Sequence, residues 1–192
     1  MNYPNGQRKS LTIKPKQTSF SRRGMTLEEE INETTDFYRI QGQAVIHKKP
    51  TPVQIVNVHY PKRSAAVITE AYFKQASTTD YNGVYKGKYI DFEAKETKNK
   101  TSFPLANIHE HQVHHMEQVV KHGGISFIIL RFRAYDETYL FDAKDLFVCW
   151  QEQFNDGRKS ISYEHVKHHG FAIPFHYQKK VDFLPVVDKL YL

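Results

Sequence analysis

The chain has little cysteine and no long apolar run, and each of these features excludes a class of protein. Its 192 residues include one cysteine, Cys149, so an intramolecular disulfide is impossible and a reducing compartment is expected. Because Cys149 lies between Val148 and Trp150, we interpret it as a core residue rather than a nucleophile. No apolar stretch approaches the roughly 20 residues that span a bilayer, and the N-terminus lacks a signal-peptide stretch. We therefore expect a cytoplasmic protein.

Acidic residues are outnumbered by basic ones. Lys and Arg total 27 against 21 Asp and Glu, which gives a formal net charge of +6 at pH 7. This balance favours a polyanionic partner, either nucleic acid or an acidic membrane surface. The chain is long enough for one sizeable core and short for two independent domains.

The segment 1–24 is basic and polar, which predicts a flexible N-terminal arm. The arm is either an uninvolved tail or an element that grips phosphates and becomes ordered on binding. In the second case the DNA contacts would come from its basic side chains: Arg8, Lys9, Lys14, Arg22 and Arg23. Residues 25–192 are expected to form a single domain.

The segment 25–41 predicts a first helix, because Thr26 is a suitable N-cap, three glutamates fill the first turn and Gly42 follows as a stop signal. Strands are predicted for 44–48 and 53–58.

The segment 59–77 is too long for a simple hairpin loop and alternates basic with aromatic residues, so we predict a projection from the sheet. It would enter a groove or junction in DNA, or it is a dimerisation element or an ordinary packed helix. Its candidate DNA-contacting residues are Lys62, Arg63 and Lys74.

Further along, a helix is predicted for 108–122, followed by the unbroken apolar strand 125–132 at the centre of a sheet. Its hairpin partner is predicted for 138–143, and another helix for 144–154. The remainder of the chain, which is interrupted by glycines and prolines, is expected to be irregular.

The strongest chemical signal lies between Asp80 and Lys95. A turn that contains glycine follows Asp80 and leads into the strand-like run 89–95. Because strand side chains alternate between faces, Glu93 and Lys95 point the same way, while their apolar neighbours point into a core. Two carboxylates beside an ammonium group suit a site that binds a divalent metal and cleaves a phosphodiester. Such a Glu-x-Lys pair is more often a solvated surface pair, but the apolar setting favours a site. Asp91 shares this face, either as a further polar member or as the solvated start of the strand.

Five histidines fall in the predicted helix 108–122, but their spacing does not match a zinc motif. A His-Glu pair begins like the HExxH motif, and its second histidine is missing. His111 and His115 lie one turn apart, which leaves a zinc site open. Without a cysteine or a third ligand, we interpret the histidines as solvated or phosphate-facing. Gln112 on this helix would reach the metal edge of the sheet directly or through water.

The order of these features is a glutamate-bearing helix, then Asp80, then Glu93-Ala94-Lys95, then a helix with Gln112, then an apolar strand. This order resembles the PD-(D/E)xK nuclease superfamily, and more closely its RecU-type Holliday junction resolvases. The matching stretches are Tyr3-Pro4-Asn5-Gly6, Arg23-Gly24-Met25-Thr26-Leu27-Glu28, Thr78-Thr79-Asp80-Tyr81-Asn82-Gly83, Tyr89-Ile90-Asp91-Phe92-Glu93-Ala94-Lys95-Glu96-Thr97 and His109-Glu110-His111-Gln112. The resemblance implies a restriction-endonuclease-like α/β fold, with a mixed central sheet flanked by helices and a protruding stalk.

The resemblance also implies roles for individual residues. The family's Mg²⁺ ligands fall on Thr78, Asp80, Glu93 and Gln112, and Mn²⁺ would be able to replace Mg²⁺ at this site. Its transition-state-stabilising lysine falls on Lys95, and the first-helix glutamate of the wider superfamily falls on Glu28, which completes the catalytic set. Thr79 stands where the superfamily name has proline, a departure that leaves Asp80 in place. No organic cofactor is implied.

The function that the resemblance implies is that of a crossover junction endodeoxyribonuclease. A homodimer would nick two opposing strands of a four-way DNA junction during recombination and repair, with the stalk at about 59–77 entering the junction centre. Contacts with recombinase and branch-migration proteins would follow, and no membrane partner is expected. Two alternatives stay open: a restriction-type duplex endonuclease, and a non-catalytic DNA-binding or strand-annealing protein that modulates a recombinase.

Overall fold

The structure is a computed structural model that describes residues 25–62, 65–73 and 78–192. The predicted arm lies outside these ranges. So do most of the predicted DNA contacts, namely Arg8, Lys9, Lys14, Arg22, Arg23, Arg63 and Lys74. No helix within the described ranges is both long and apolar enough to cross a membrane.

The described part of the chain contains five α-helices, ten strands and a 3₁₀ helix at Leu105–Asn107. The helices are α1 (Leu27–Ile40), α2 (Glu110–Lys121), α3 (Ala143–Glu152), α4 (Tyr163–His169) and α5 (Leu184–Tyr191). The strands are β1 (Val45–Lys48), β2 (Val53–His59), β3 (Val67–Phe73), β4 (Tyr81–Tyr85), β5 (Lys88–Thr97), β6 (Ser102–Pro104), β7 (Ile125–Phe132), β8 (Glu137–Asp142), β9 (Ser160–Ser162) and β10 (Phe171–Ala172).

A six-stranded sheet organises these elements in the order β1-β4-β5-β7-β8-β10. Strands β5 and β7 pair in parallel, and every other neighbouring pair in this sheet is antiparallel. The parallel pair requires a crossover, which α2 supplies between the two strands. The expected α/β fold class, with a mixed central sheet flanked by helices, is confirmed.

Both faces of the sheet are covered, as the continuous apolar sequence of β7 predicts. On one face, α1 and α5 pack on an aromatic stack in which Phe92 lies between Tyr81 and Phe127, with ring centroids 4.8 and 4.9 Å apart. On the other face, α2, α3 and α4 bury apolar side chains against Ile128 and Leu130. All eight residues of β7 are buried.

Helix α1 begins and ends as its sequence predicts. Thr26 accepts a hydrogen bond from the Glu29 backbone N–H at 3.3 Å, and Glu29 Oε2 accepts one from the Thr26 N–H at 2.7 Å. This reciprocal capping box satisfies two of the free donors at the helix N-terminus. Gly42 follows the helix with a φ of +65°, a conformation that glycine adopts without strain.

The segment 59–77, for which the sequence predicts a projection, overlaps a hairpin that starts earlier, at Val53. Among the described residues, β2 and β3 pair with each other and with no third strand, as an antiparallel hairpin. Most of its apolar side chains, including Ile55 and Tyr72, are exposed. The sequence could not separate β2 from β1, because both have the composition of a strand and only the pairing shows that β2 leaves the sheet.

The sequence predicts an irregular segment after residue 154, and this prediction is wrong. It contains β9, α4, β10 and α5, and α5 buries Leu184 and Val187 in the core. Pro185 lies in the first turn of α5, where proline is compatible with a helix. Gly170 marks the end of α4 rather than a loop, and Ser162 caps its start.

Gly83 lets β1 and β4 approach each other closely. A Cβ at this position would lie 2.1 Å from the Val45 carbonyl oxygen and 2.6 Å from the Ile46 Cα, both backbone atoms that cannot rotate away. We expect Gly83→Ala to destabilise the protein by about 1–3 kcal/mol, as overpacking does. The free energy of unfolding in urea would measure this, and Gly87→Ala, in a turn with open space, separates crowding from backbone strain. An unchanged stability for Gly83→Ala would contradict the pairing of β1 with β4.

Candidate metal centre

Asp80 and Glu93 are held together by reciprocal hydrogen bonds. The Asp80 backbone N–H donates to Glu93 Oε2 at 3.0 Å, and the Ala94 N–H donates to Asp80 Oδ2 at 3.1 Å. The register of β4 on β5 pairs Tyr81 with Phe92, which sets Asp80 opposite Glu93 at the start of β4. Each carboxylate is therefore oriented by the backbone next to the other, before any ligand binds.

Glu93 is fully buried, and Lys95 Nζ lies 2.6 Å from its Oε1 as an ion pair. Burial raises the pKa of Glu93 to about 7, the negative charge of Asp80 adds to this rise, and the Lys95 ammonium opposes it. The Lys95 ammonium is thus the partner of Oε1. A buried carboxylate with a raised pKa, beside a second carboxylate, suits a bound cation.

The raised pKa of Glu93 leads to a prediction about the metal-free protein. A folded-state pKa of about 7, above the ordinary 4.5, means that stability present below pH 4.5 is lost as pH rises through 7. We expect Glu93→Gln to stabilise the protein in EDTA at pH 8, by up to about 3 kcal/mol, and to have little effect at pH 4.5. Thermal unfolding of both proteins across this pH range measures the difference.

Glu137→Gln provides a control of opposite sign. Burial by itself would raise the pKa of Glu137. Hydrogen bonds from the Tyr139 and Tyr163 hydroxyls outweigh this effect and hold that pKa below its usual value. Its contribution to stability is therefore present at pH 8 and lost in acid, so Glu137→Gln should lower the melting temperature at pH 8. If Glu93→Gln destabilised the metal-free protein at pH 8 as well, the buried-carboxylate interpretation of Glu93 would be wrong.

Glu28 lies near this centre but has its own partner. It occupies the first turn of α1 and forms an ion pair with Lys48. The Tyr81 hydroxyl donates to the Glu28 carbonyl oxygen at 3.2 Å. Burial, followed by the negative charges of Glu28, Asp80 and Glu93, raises the pKa of Tyr81. The charges of all three carboxylates thus act on one buried tyrosine.

Thr78 and Gln112, the two neutral ligands that the resemblance implies, are engaged by other groups. Thr78 Oγ1 accepts a hydrogen bond from Lys49 Nζ at 3.0 Å. Gln112 is buried at the start of α2, and its Oε1 accepts from the His109 backbone N–H at 3.0 Å. Gln112 would have to exchange this capping bond to offer Oε1 to a cation.

Asp91 is a buried member of the polar network and not the solvated start of the strand. It is fully buried, and Lys49 Nζ, the Tyr89 hydroxyl and His115 Nε2 lie 2.7, 2.9 and 3.1 Å from its Oδ2. Thr79 Oγ1 donates to its other oxygen. Burial by itself would raise the pKa of Asp91, but the bonds from Lys49, Thr79 and His115 lower it below its usual value. Sequence reasoning missed Lys49, because a lysine in a His-Lys-Lys-Pro run is typical of a solvated turn.

The histidines of α2 contact other side chains of the protein. His109 and His111 stack with ring centroids 5.4 Å apart, His114 Nε2 lies 4.0 Å from Glu110, and His115 contacts Asp91. Within 25–62, 65–73 and 78–192, no group of three or more His, Cys, Asp or Glu side chains is arranged to hold a metal ion.

The residues present fit a hard divalent cation held by few protein ligands. Asp80 and Glu93 supply carboxylate oxygens that reciprocal hydrogen bonds hold close together. The neutral oxygens of Thr78 and Gln112 are bonded to Lys49 and to the His109 N–H. Mg²⁺ prefers such oxygen ligands and keeps several waters, and it is often bound through one or two carboxylates together with substrate phosphate. Two converging carboxylates are therefore a sufficient protein share for Mg²⁺.

Of the residues predicted to contact DNA, only Lys62 lies within the described ranges. It is exposed between β2 and β3, at the tip of the hairpin, and its carbonyl oxygen accepts a hydrogen bond from the Ala65 N–H at 2.9 Å. Its position is compatible with DNA contact, which stays a prediction.

Comparison with known proteins points to one family. The family model described as Recombination protein U, RecU, matches residues 22–189. The Holliday junction resolvase RecU of Oceanobacillus iheyensis is 67% identical over 195 residues, covering 100% of each chain. The protein of the same name from Geobacillus sp. strain WCH70 is 60% identical over 194 residues, covering 98% of this chain and 96% of its own. A solved structure of Hjc, a Holliday junction resolvase from Archaeoglobus fulgidus, aligns at 12% identity with a TM-score of 0.40, covering 72% of this chain and 91% of that chain. This last likeness is too distant to add to the family match.

Proposed function

Because the chain belongs to the RecU family, we propose that it is a Holliday junction resolvase, a metal-dependent endodeoxyribonuclease that nicks four-way DNA junctions. The observation that carries the proposal is the reciprocal bonding of Asp80 and Glu93 beside Lys95. Strongly perturbed carboxylates that lie beside a second carboxylate and a lysine are typical of active sites, which favours catalysis over binding alone. We further propose that residues 25–192 form a single nuclease domain, from which the β2–β3 hairpin projects as the stalk.

In the proposed reaction, Asp80 and Glu93 would hold Mg²⁺, or Mn²⁺ in its place, with Thr78 and Gln112 as supporting ligands. Such a cation would supply positive charge at the scissile phosphate and lower the pKa of an attacking water. Lys95, which is ion-paired with Glu93, would orient that water or stabilise charge on the phosphate with its ammonium group. Glu28, whose charge also acts on Tyr81, is the proposed first-helix member of the catalytic set.

The proposed assembly is a homodimer in the cytoplasm. A two-fold axis would set one centre against each of two opposing strands, which matches the two symmetric nicks that resolve a junction. The exposed hairpin would read the open centre of the junction by shape. Lys62 at its tip, with Arg63, Lys74 and the basic arm, would contact phosphates. Recombinase and branch-migration proteins are proposed as further partners.

The test is cleavage of a labelled four-way junction beside a matched linear duplex, in Mg²⁺ and in EDTA. Paired nicks on opposite junction strands, with the duplex intact and EDTA inhibitory, support the proposal. Cleavage of both substrates at a fixed sequence would favour a restriction-type endonuclease. Junction binding without cleavage in Mg²⁺ or Mn²⁺ would favour a DNA-binding or strand-annealing role and would overturn the catalytic proposal.

A further inference from the structure

We infer that Lys49 is a positioning residue that fixes the segment 78–80 against β5 and keeps Asp91 away from the metal ligands. This inference rests on the proposed metal centre, because Thr78 and Asp80 are proposed ligands. Lys49 itself touches neither substrate nor cation in this assignment. It acts through the residues that do.

Lys49 binds the segment 78–80 through both its backbone and its side-chain ammonium group. Its backbone N–H donates to the Asp80 carbonyl oxygen at 2.7 Å, which extends the pairing of β1 with β4 by one residue. Its Nζ donates to Thr78 Oγ1 at 3.0 Å and to Thr79 Oγ1 at 2.6 Å. The three consecutive residues that lead into β4 are therefore each bonded to the same lysine.

The third Nζ contact joins this segment to the strand that carries the other ligand. Asp91 Oδ2 lies 2.7 Å from Nζ, and Thr79 Oγ1 donates to Asp91 Oδ1, which closes a ring of hydrogen bonds. An ammonium group has three donors, and all three have acceptors here. The Lys49 side chain is only 14% exposed, although lysine is rarely buried without a specific partner.

Asp91 needs such a partner because it lies two residues before Glu93 on the same face of β5. Without a cation beside it, it would be a third carboxylate close to Asp80 and Glu93, able to repel them or to take a share of the metal. The bonds from Lys49, Tyr89 and His115 keep Asp91 in place. Lys49 therefore separates a structural carboxylate from the proposed metal-binding ones.

The experiment compares four variants with the full-length protein: Lys49→Met, Asp91→Asn, the double variant, and Lys49→Arg. Three quantities are measured: the melting temperature in EDTA, the Mn²⁺ concentration that gives half of the maximal thermal stabilisation without DNA, and single-turnover junction cleavage. The first reports on stability and the second on the metal centre without catalysis. Lys86→Met, which breaks an exposed ion pair with Asp188 at the far end of the β4–β5 hairpin, is the matched control.

Lys49→Met leaves Asp91 buried without its cation, so we expect the melting temperature to fall by on the order of 10 °C. The double variant removes both charges and should recover most of this loss. Relative to Asp91→Asn, however, the double variant should need about tenfold more Mn²⁺ and cleave about 10- to 100-fold more slowly, as expected when the support of a metal ligand is lost. Junction affinity should remain within about twofold, since Lys49 is not proposed to touch DNA.

Equal Mn²⁺ response and equal cleavage in the double variant and Asp91→Asn would overturn the inference, because Lys49 would then serve only as a counter-charge. Lys49→Arg keeps the charge beside Asp91 and alters only the fit to Thr78 and Thr79, so it gives the same comparison in a protein whose buried charge stays paired. A normal Mn²⁺ response in Lys49→Arg would also count against positioning. If the unmodified protein itself showed no Mn²⁺ response and no cleavage, the proposed function would fail instead.

Discussion

Asp80→Asn should abolish junction cleavage, by on the order of 10³-fold or more, while junction binding persists. Asparagine has the shape of aspartate and its Oδ1 can still accept the hydrogen bond from the Ala94 N–H, so the start of β4 should keep its place. What disappears is one of the two negative charges that would hold the cation. The Mn²⁺-induced rise in melting temperature should therefore disappear together with cleavage.

Asp80→Asn should also change the stability of the metal-free protein, which can be measured independently of cleavage. The charge of Asp80 is one cause of the raised pKa of Glu93, so its removal should make the metal-free protein at least as stable at pH 8 as the unmodified one. Asp36→Asn, which breaks an exposed pair with Arg39 on α1, is the control and should cleave normally. Cleavage by Asp80→Asn at nearly the normal rate would refute the metal-site assignment. Loss of both binding and stability would instead make Asp80 a structural residue.

The core of the candidate site was predictable because it depends on alternation along one strand. Once β5 is assigned, Glu93 and Lys95 must share a face, and the apolar residues between them must face the core. The turn before β5 then brings Asp80 back beside Glu93, and the structure places them so. Each of these steps uses contacts that are local in sequence.

Lys49 and Asp91 show where this reasoning stops. Their contact joins residues 42 positions apart, and it depends on how β1 lies against β4 and β4 against β5. No pattern near Lys49 distinguishes it from Lys48, which is about 43% exposed and pairs with Glu28 at the surface. The alternation rule placed Asp91 on the correct face but could not show whether that face was covered, and α2 covers it through His115.

Strand β7 was predicted correctly from its apolar residues, but that pattern does not account for the buried Arg131 within it. Its run of apolar residues indicates a strand buried on both faces, and Arg131 within it is buried as well. The sequence gives no sign that Arg131 finds a carboxylate on α1, where Glu30 was explained by helix capping alone. The structure shows that only Glu29 closes the capping box, while Glu30 faces the sheet.

Arg131→Met is expected to be among the most destabilising single changes, with a loss of about 3–5 kcal/mol in the free energy of unfolding. Arg131 is 5% exposed, pairs with the fully buried Glu30, and donates from Nε to Thr138 Oγ1 at 2.9 Å. Methionine fills a similar volume, so the loss would come from the Glu30 charge and the Thr138 hydroxyl left without this partner. Urea unfolding in EDTA at a constant pH measures it.

Replacing both members of this pair separates charge from packing. In Glu30→Met/Arg131→Met this pair carries no charge, and apolar replacements of buried ion pairs are often neutral or stabilising, so most of the lost stability should return. Arg133→Met, two residues further along, breaks an exposed pair with Glu96 and should change stability by no more than about 1 kcal/mol. A large effect of Arg133→Met, or no recovery in the double variant, would mean that packing rather than the buried Glu30–Arg131 pair joins α1 to the centre of the sheet.

Helix α1 also carries Glu28, whose carbonyl oxygen accepts a hydrogen bond from Tyr81 near the metal centre. If the double variant recovered its stability but cleaved more slowly, the Glu30–Arg131 pair would also help to set the position of α1 at that centre.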